Sequence, residues 1–321
     1  MSKNLRIIYQ ENYLGTFFLK KFLLLIVLIN KLVQTLIGSK NLSFYTTCLQ
    51  SLLKNSRDPI NLLIHNDGTL TDEDKVSLTS ISEVDISFNN FQQSRLSTLD
   101  YLQGRPNCQK FRKESIWGIE FFDPLFANPD EPISFYLDAD ILFQRPFSGL
   151  FNRSQTQGGA VFLEDTQWDA YCFRPWSLLG LGKKPEVVKG ITTGLVFWDK
   201  RALDWDYLEW FLGASYLHKI PEWIMPTAQA GLANRCNAKT VCSNQITNLY
   251  PNAQISEDTL GVHLLGSYRK GWIKKFAEER NHSNQNDSIS TTRFKTCKTQ
   301  NIFGYSLKQI KRWKNTRLNL W

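Results

Sequence analysis

The run Phe135-Tyr136-Leu137-Asp138-Ala139-Asp140 ends an apolar stretch in two carboxylates two residues apart. Alternate side chains of an extended chain share a face. Asp138 and Asp140 would therefore face the same way and repel each other unless a cation or a proton lay between them. A hard divalent ion with oxygen ligands, Mn²⁺ or Mg²⁺, meets that need and keeps positions open for phosphate oxygens. Taken alone, the spacing fits a polar strand end with two solvated acids equally well.

Two further segments add to it. Gly261-Val262-His263-Leu264-Leu265-Gly266-Ser267-Tyr268-Arg269-Lys270-Gly271-Trp272 places an imidazole, a glycine and cations in quick succession. His263 could ligate a metal, Gly266 lets a ligand approach the backbone, and Lys270 could face a diphosphate. A lone histidine on an apolar strand is usually a core residue, and the residues after it are what give it another meaning. Gly190-Ile191-Thr192-Thr193-Gly194 is a hydroxyl-rich turn opening an apolar strand. Thr192 and Thr193 could meet sugar hydroxyls, although an ordinary turn reads the same.

Short apolar runs at 33–38, 60–65, 84–88, 133–137, 160–163, 194–198 and 260–265 read as strands. Amphipathic stretches near 43–54, 72–80, 109–122 and 202–213 read as helices between them. This alternation predicts an α/β fold, a mostly parallel Rossmann-like sheet flanked by helices. In such sheets ligands gather at the carboxyl ends of the strands. That is where the Asp-X-Asp falls.

The chain has 321 residues, 42% of them hydrophobic, enough to bury a full core. Residues 1–40 carry six Lys/Arg against one acid and residues 269–321 carry 13 against three, so the two ends hold +15 and the middle −7. Basic terminal extensions fit an anionic surface. No nucleic-acid-binding motif accompanies them, so nucleic acid is not expected as a partner. Six cysteines without a Cys-X-X-Cys pair suggest neither a disulfide framework nor a zinc cluster. The expected location is the cytoplasm. Lys20 and Lys21 interrupt the apolar stretch at 17–29, which is then too short to span a bilayer. It reads as a basic helix lying at the inner membrane surface or as one packed on the domain.

Together these segments resemble the retaining glycosyltransferases of family 8, the group of glycogenin and bacterial lipopolysaccharide galactosyltransferases, within the GT-A nucleotide-diphospho-sugar transferases. The family's His-X-X-Gly-X-X-Lys-Pro-Trp is echoed by His263, Gly266, Lys270 and Trp272, with one extra residue before Lys270 and with Gly271 in place of Pro. The resemblance implies a metal-dependent transfer from a nucleotide-sugar, a UDP-sugar above all, to a glycan or lipid-linked acceptor with retention of configuration. It implies metal ligation by Asp138, Asp140 and His263, donor contacts from Thr35, Ile37, Gly38, Ala139, Thr192, Thr193 and Gly266, and diphosphate binding by Lys270 with Arg269 as a substitute. Arg112 or Lys113 corresponds to a donor-sugar cation of the family. Gln229 corresponds to a residue at the reacting face, whereas Ala228 stands where the family often has an acid.

The implied organisation is a basic amphipathic helix over 1–32, a GT-A domain over 33–276, and a polar loop with a basic tail over 277–321. Two other readings are a sugar-nucleotide-binding protein without turnover and a haloacid-dehalogenase-like phosphatase. The second is weakened because His65 occupies the nucleophile position of His65-Asn66-Asp67-Gly68-Thr69-Leu70.

Overall fold

The computed structural model describes residues 30–166, 169–174, 177, 179, 185–218, 220–250, 253–269 and 288–318. The basic segment 1–29, Lys270, Trp272 and the polar run 281–287 lie outside the described residues.

The first half alternates strands and helices: β1 (Lys31–Ile37), α1 (Leu42–Asn55), β2 (Ile60–Asn66), α2 (Asp72–Thr79) and β3 (Ile86–Asn89). Three helices follow, α3 (Phe91–Tyr101), α4 (Pro106–Glu114) and α5 (Ile116–Phe126). Next come β4 (Ile133–Leu137), β5 (Ile141–Phe143), β6 (Phe147–Ser148), the short α6 (Arg153–Thr156), β7 (Gly159–Glu164) and β8 (Ile191–Asp199). The second half adds α7 (Trp205–Gly213), α8 (Ile224–Ala233), β9 (Asn237–Val241), β10 (Ile246–Asn248), β11 (Gly261–His263), β12 (Ser290–Thr291), β13 (Phe294–Thr296) and α9 (Ile302–Leu318).

The main sheet has eight strands in the order β13-β9-β7-β8-β4-β1-β2-β3. All run one way except β8 and β13, which lie antiparallel to their neighbours. The mostly parallel sheet expected from the alternation is therefore present. Being covered on both faces, it is built from almost continuously apolar strands. Phe135 and Leu137 of β4 join a core with Val33, Leu62, Leu163 and Phe197, while Tyr136 between them joins Phe162, Trp198 and the aromatic residues of α5 and α7 on the other face.

The helix expected over 109–122 is two helices. Ser115 is extended, with φ −132° and ψ 137°, and closes α4 by donating its N–H to Phe111 O at 3.1 Å. The turn before α2 is built from side chains. Thr71 and Asp74 form a reciprocal capping box, and Ser39 Oγ donates to Asp74 Oδ2 at 2.6 Å.

The run at 260–265 forms β11, in a separate three-stranded sheet of order β10-β11-β5. This small sheet matters most for function. Antiparallel pairing sets His263 opposite Ile141, one residue beyond Asp140, and Leu264 N donates to Asp140 O at 3.0 Å. Residues 288–318 lie against the rest. β13 pairs with β9, and Tyr305 of α9 is buried with its hydroxyl donating to Phe173 O at 3.0 Å.

Candidate metal and nucleotide-sugar site

β4 is an interior strand that delivers Asp138 at its carboxyl end, where the ladder stops. Asp138 N still donates to Gly194 O at 2.8 Å. Asp140 follows in the tight link to β5. Asp138, Asp140 and His263 converge so that one ligand atom from each lies within 4.8 Å of the others. His263 Nε2 is 3.1 Å from Asp140 Oδ1 and 3.6 Å from Asp138 Oδ2.

The histidine is held from behind. Its Nδ1 lies 2.9 Å from Asn248 Oδ1, and Asn248 Nδ2 donates to Glu164 O at 3.1 Å. With the amide nitrogen committed to a carbonyl, Asn248 turns its oxygen to the ring, so Nδ1 carries the proton and Nε2 points at the two carboxylates. Gly194 makes the space: a Cβ there would come within 2.4 Å of His263 Cε1 and 2.6 Å of Nδ1.

The charges are unevenly balanced. Burial alone would raise the Asp140 carboxyl, but His263 and Arg269 outweigh it and hold it below the usual carboxylate range. Arg269 Nη2 donates to Asp140 Oδ2 at 2.5 Å. Burial raises Asp138 even though His263 opposes the shift, and Tyr136 Oη donates to its Oδ1 at 2.9 Å. His263 is pushed up to about 10: burial lowers it, and the two carboxylates overcome that. Burial, then the charges of Asp138 and Asp140, lift Glu120 well above its ordinary value.

Asp140 Oδ1 is buried and accepts no well-formed hydrogen bond, although His263 Nε2 is near. A buried carboxylate oxygen held by one poorly aligned donor is under-satisfied. Two carboxylates and a ring nitrogen aimed at one point form a donor set that suits a hard or borderline divalent cation. The residues fit such an ion.

The cluster opens into a cleft of about 540 Å³. Thr192, Thr193 and Gly266 line it, as do the aromatic rings of Trp117, Trp223 and Tyr250 and the carboxylates of Glu120, Asp165 and Glu222. Of the residues singled out in the sequence, Asp138, Asp140, His263, Thr192, Thr193, Gly266 and Arg269 therefore meet at one place.

Others do not. Arg112 is 2% exposed and forked onto Asp123, with Nε and Nη2 at 2.5 and 2.8 Å from the two oxygens, so it is not among the residues lining the cleft. Thr35 and Ile37 are buried inside β1. Gly38 closes β1 beside Asp67, whose Oδ2 would stand 2.0 Å from a Cβ. Ala139 is a core residue. Gln229 is buried on α8, accepts from Trp198 Nε1 at 2.8 Å, and lines a small cavity next to Glu120 and Met225. Ala228 beside it is fully buried. His65 is buried between Gln34 and Asn89.

Trp117, Glu120, Tyr136, Trp223, Asn248 and Tyr250 were not singled out in the sequence. Trp117 and Glu120 lie one helical turn apart on α5, a signal hidden by the apolar run around them. Asn248 carries no local signal.

No protein-family model matches the chain, and no curated protein matches it. Solved structures do. Mouse xyloside xylosyltransferase 1 superposes with a TM-score of 0.52 at 11% identity, covering 75% of this chain and 98% of that one. The galactosyltransferase LgtC, in complex with donor and acceptor sugar analogues, gives 0.47 at 9% identity, covering 80% of this chain and 97% of its own. The chain has the GT-A fold of the glycosyltransferases, a large mostly parallel sheet flanked by helices.

Proposed function

We propose that this protein is a metal-dependent glycosyltransferase that moves a sugar from a UDP-sugar to a glycan or lipid-linked acceptor. The observation that carries the reading is the convergence of Asp138, Asp140 and His263, one ligand atom from each, on one point at the carboxyl end of β4. Asp138, Asp140 and His263 would hold Mn²⁺ or Mg²⁺. When bound, the ion offsets negative charge on a diphosphate leaving group as the sugar becomes oxocarbenium-like.

The rest is done by the chain's own side chains. Arg269 brings a guanidinium to the rim of the cluster, where it would meet a phosphate oxygen, and Lys270 follows it in sequence. Trp117, Trp223 and Tyr250 offer apolar faces for a sugar ring or a base. Thr192 and Thr193 supply hydroxyls, and Asp165 and Glu222 accept from sugar hydroxyls. Asn248 keeps the His263 ring in place.

Retention of configuration is part of the proposal and follows from the family resemblance. Gln229 cannot orient the sugar from its bond to Trp198 without turning out of the core. Asp165 and Glu222, which line the cleft, are the groups that an inverting reaction would use as base. Proton NMR of the first product from a UDP-α-sugar decides: a small α-type anomeric coupling supports retention, and a large β-type coupling overturns it.

The test of the activity is a set of nucleotide-sugars with Mn²⁺, following thermal stabilisation and release of nucleoside diphosphate, with and without EDTA. Stabilisation and release that both vanish in EDTA are expected. Metal-dependent UDP binding without turnover would favour a binding protein instead, a reading motivated by the buried methyl of Ala228 where the resemblance expects an acid.

A further inference from the structure

α9 uses only one of its faces to hold the molecule together. Tyr305 is buried, Lys308 Nζ reaches Asp169 Oδ1 at 3.0 Å, and Gln309 Nε2 reaches Asp169 O at 3.4 Å. On the other side Phe303, Leu307 and Ile310 are 79%, 67% and 53% exposed, and Trp313 at its flank is 54% exposed. At 3.6 residues per turn, positions 303, 307, 310 and 314 fall in one stripe roughly 60° wide, with Tyr305 on the opposite side. A row of large apolar side chains in water marks a surface that something covers.

The charges around the stripe say what that is. Lys314 ends the stripe and Lys311 flanks it, both exposed, and residues 288–321 contain eight Lys/Arg and no Asp or Glu. A second copy of the chain would set these lysines against one another. A nucleic acid would match the charge but leave Phe303, Leu307 and Ile310 in water. An anionic bilayer satisfies both features, since apolar side chains enter the boundary between headgroups and acyl chains while lysines meet the headgroups.

We propose that the outer face of α9 docks the protein on the surface of an anionic lipid bilayer. The docking stands apart from the transferase reading and would place it in context. The inner face of α9 grips Asp169, the neighbour of the cleft residue Ala170, so the docked helix holds the cleft close to lipid headgroups.

The test is cosedimentation of the full chain with vesicles of phosphatidylcholine, with and without phosphatidylglycerol. Binding to the anionic vesicles only, weakened by salt, is expected. Leu307→Glu with Ile310→Glu should lower it at least tenfold. Lys311→Glu and Lys314→Glu should each lower it roughly fivefold or more. All four side chains are exposed, so thermal midpoints and nucleotide-sugar binding should match the parent protein, and docking can fail while the transferase reading stands. The proposal is overturned by absent binding of the parent protein, by equal binding to neutral vesicles, or by unchanged binding of the Leu307/Ile310 variant. It is equally overturned if that variant only converts a dimer to a monomer.

Discussion

Two buried charge clusters, one between α4 and α5 and one past the end of β4, differ in how completely they are satisfied. In the first, Arg112 forks onto Asp123, and Ser94 Oγ and Thr98 Oγ1 donate to the same carboxylate at 2.7 and 3.1 Å. Every oxygen of Asp123 has its donors. In the second, Asp138, Asp140 and His263 crowd together and Asp140 Oδ1 has only the poorly aligned His263 Nε2 beside it. Completeness is the signature of a structural pair. The incomplete cluster is the one built for something that comes and goes.

This contrast can be broken first at Arg112. Removing one partner of a buried ion pair strands the other charge, so Arg112→Ala should cost about 3–5 kcal/mol in denaturant unfolding. Arg112→Met combined with Asp123→Leu should restore most of it. If Arg112→Ala instead folds normally and loses nucleotide-sugar binding, Arg112 is a donor contact after all.

Next in size is Asp140→Asn. Under the proposed function it removes charge that positions the leaving-group cation, and nucleoside diphosphate release should fall by about 100- to 1000-fold, or roughly 3–4 kcal/mol of barrier. Unfolding stability should change far less. An equal loss in both measurements would make the cluster structural like the first.

His65 offers a pH test of a satisfied buried group. Burial, aided by Arg112 and opposed by Asp123, lowers it to about 4 from an ordinary 6.5. The folded state therefore favours the neutral ring. The full contribution is present above pH about 6.5 and is lost as pH falls toward about 4, because the unfolded chain takes up the proton first. Urea midpoints at either end of that window should differ by up to about 3 kcal/mol, and His65→Gln should flatten the difference.

The smallest effect is expected at Gly194. A methyl placed 2.4 Å from His263 Cε1 must displace the ring, and Gly194→Ala should weaken Mn²⁺ binding by roughly 10- to 100-fold. Unaltered affinity would mean that His263 is not a ligand.

The two clusters also show what could be read from residues alone. The end of β4 was legible because an apolar strand stops at paired carboxylates, and His263 because glycine and cations follow it. Their adjacency was not, since it depends on β11 pairing with β5, which lies about 120 residues earlier in the chain. Lys113 and Arg112 both stand at the right distance before the Asp-X-Asp for the family's donor cation, and the fold commits Arg112 to Asp123. Nothing local shows that Asp123, on the next helix, faces it. The placing of Gln229 was equally hidden: α8 is nearly all apolar, and only the fold reveals that its glutamine turns inward to Trp198. Strand edges moved by up to three residues, as at the start of β8, because buried strands have no polar alternation to mark their ends.

The central claim is that Asp138, Asp140 and His263 form a divalent-cation site, and its most direct measurement is titration of the metal-free protein with Mn²⁺ followed by electron paramagnetic resonance. The account predicts one Mn²⁺ per chain, bound more tightly when UDP is present and lost in Asp138→Asn and Asp140→Asn variants that remain folded. The same stoichiometry and affinity in the parent protein and both variants would contradict it.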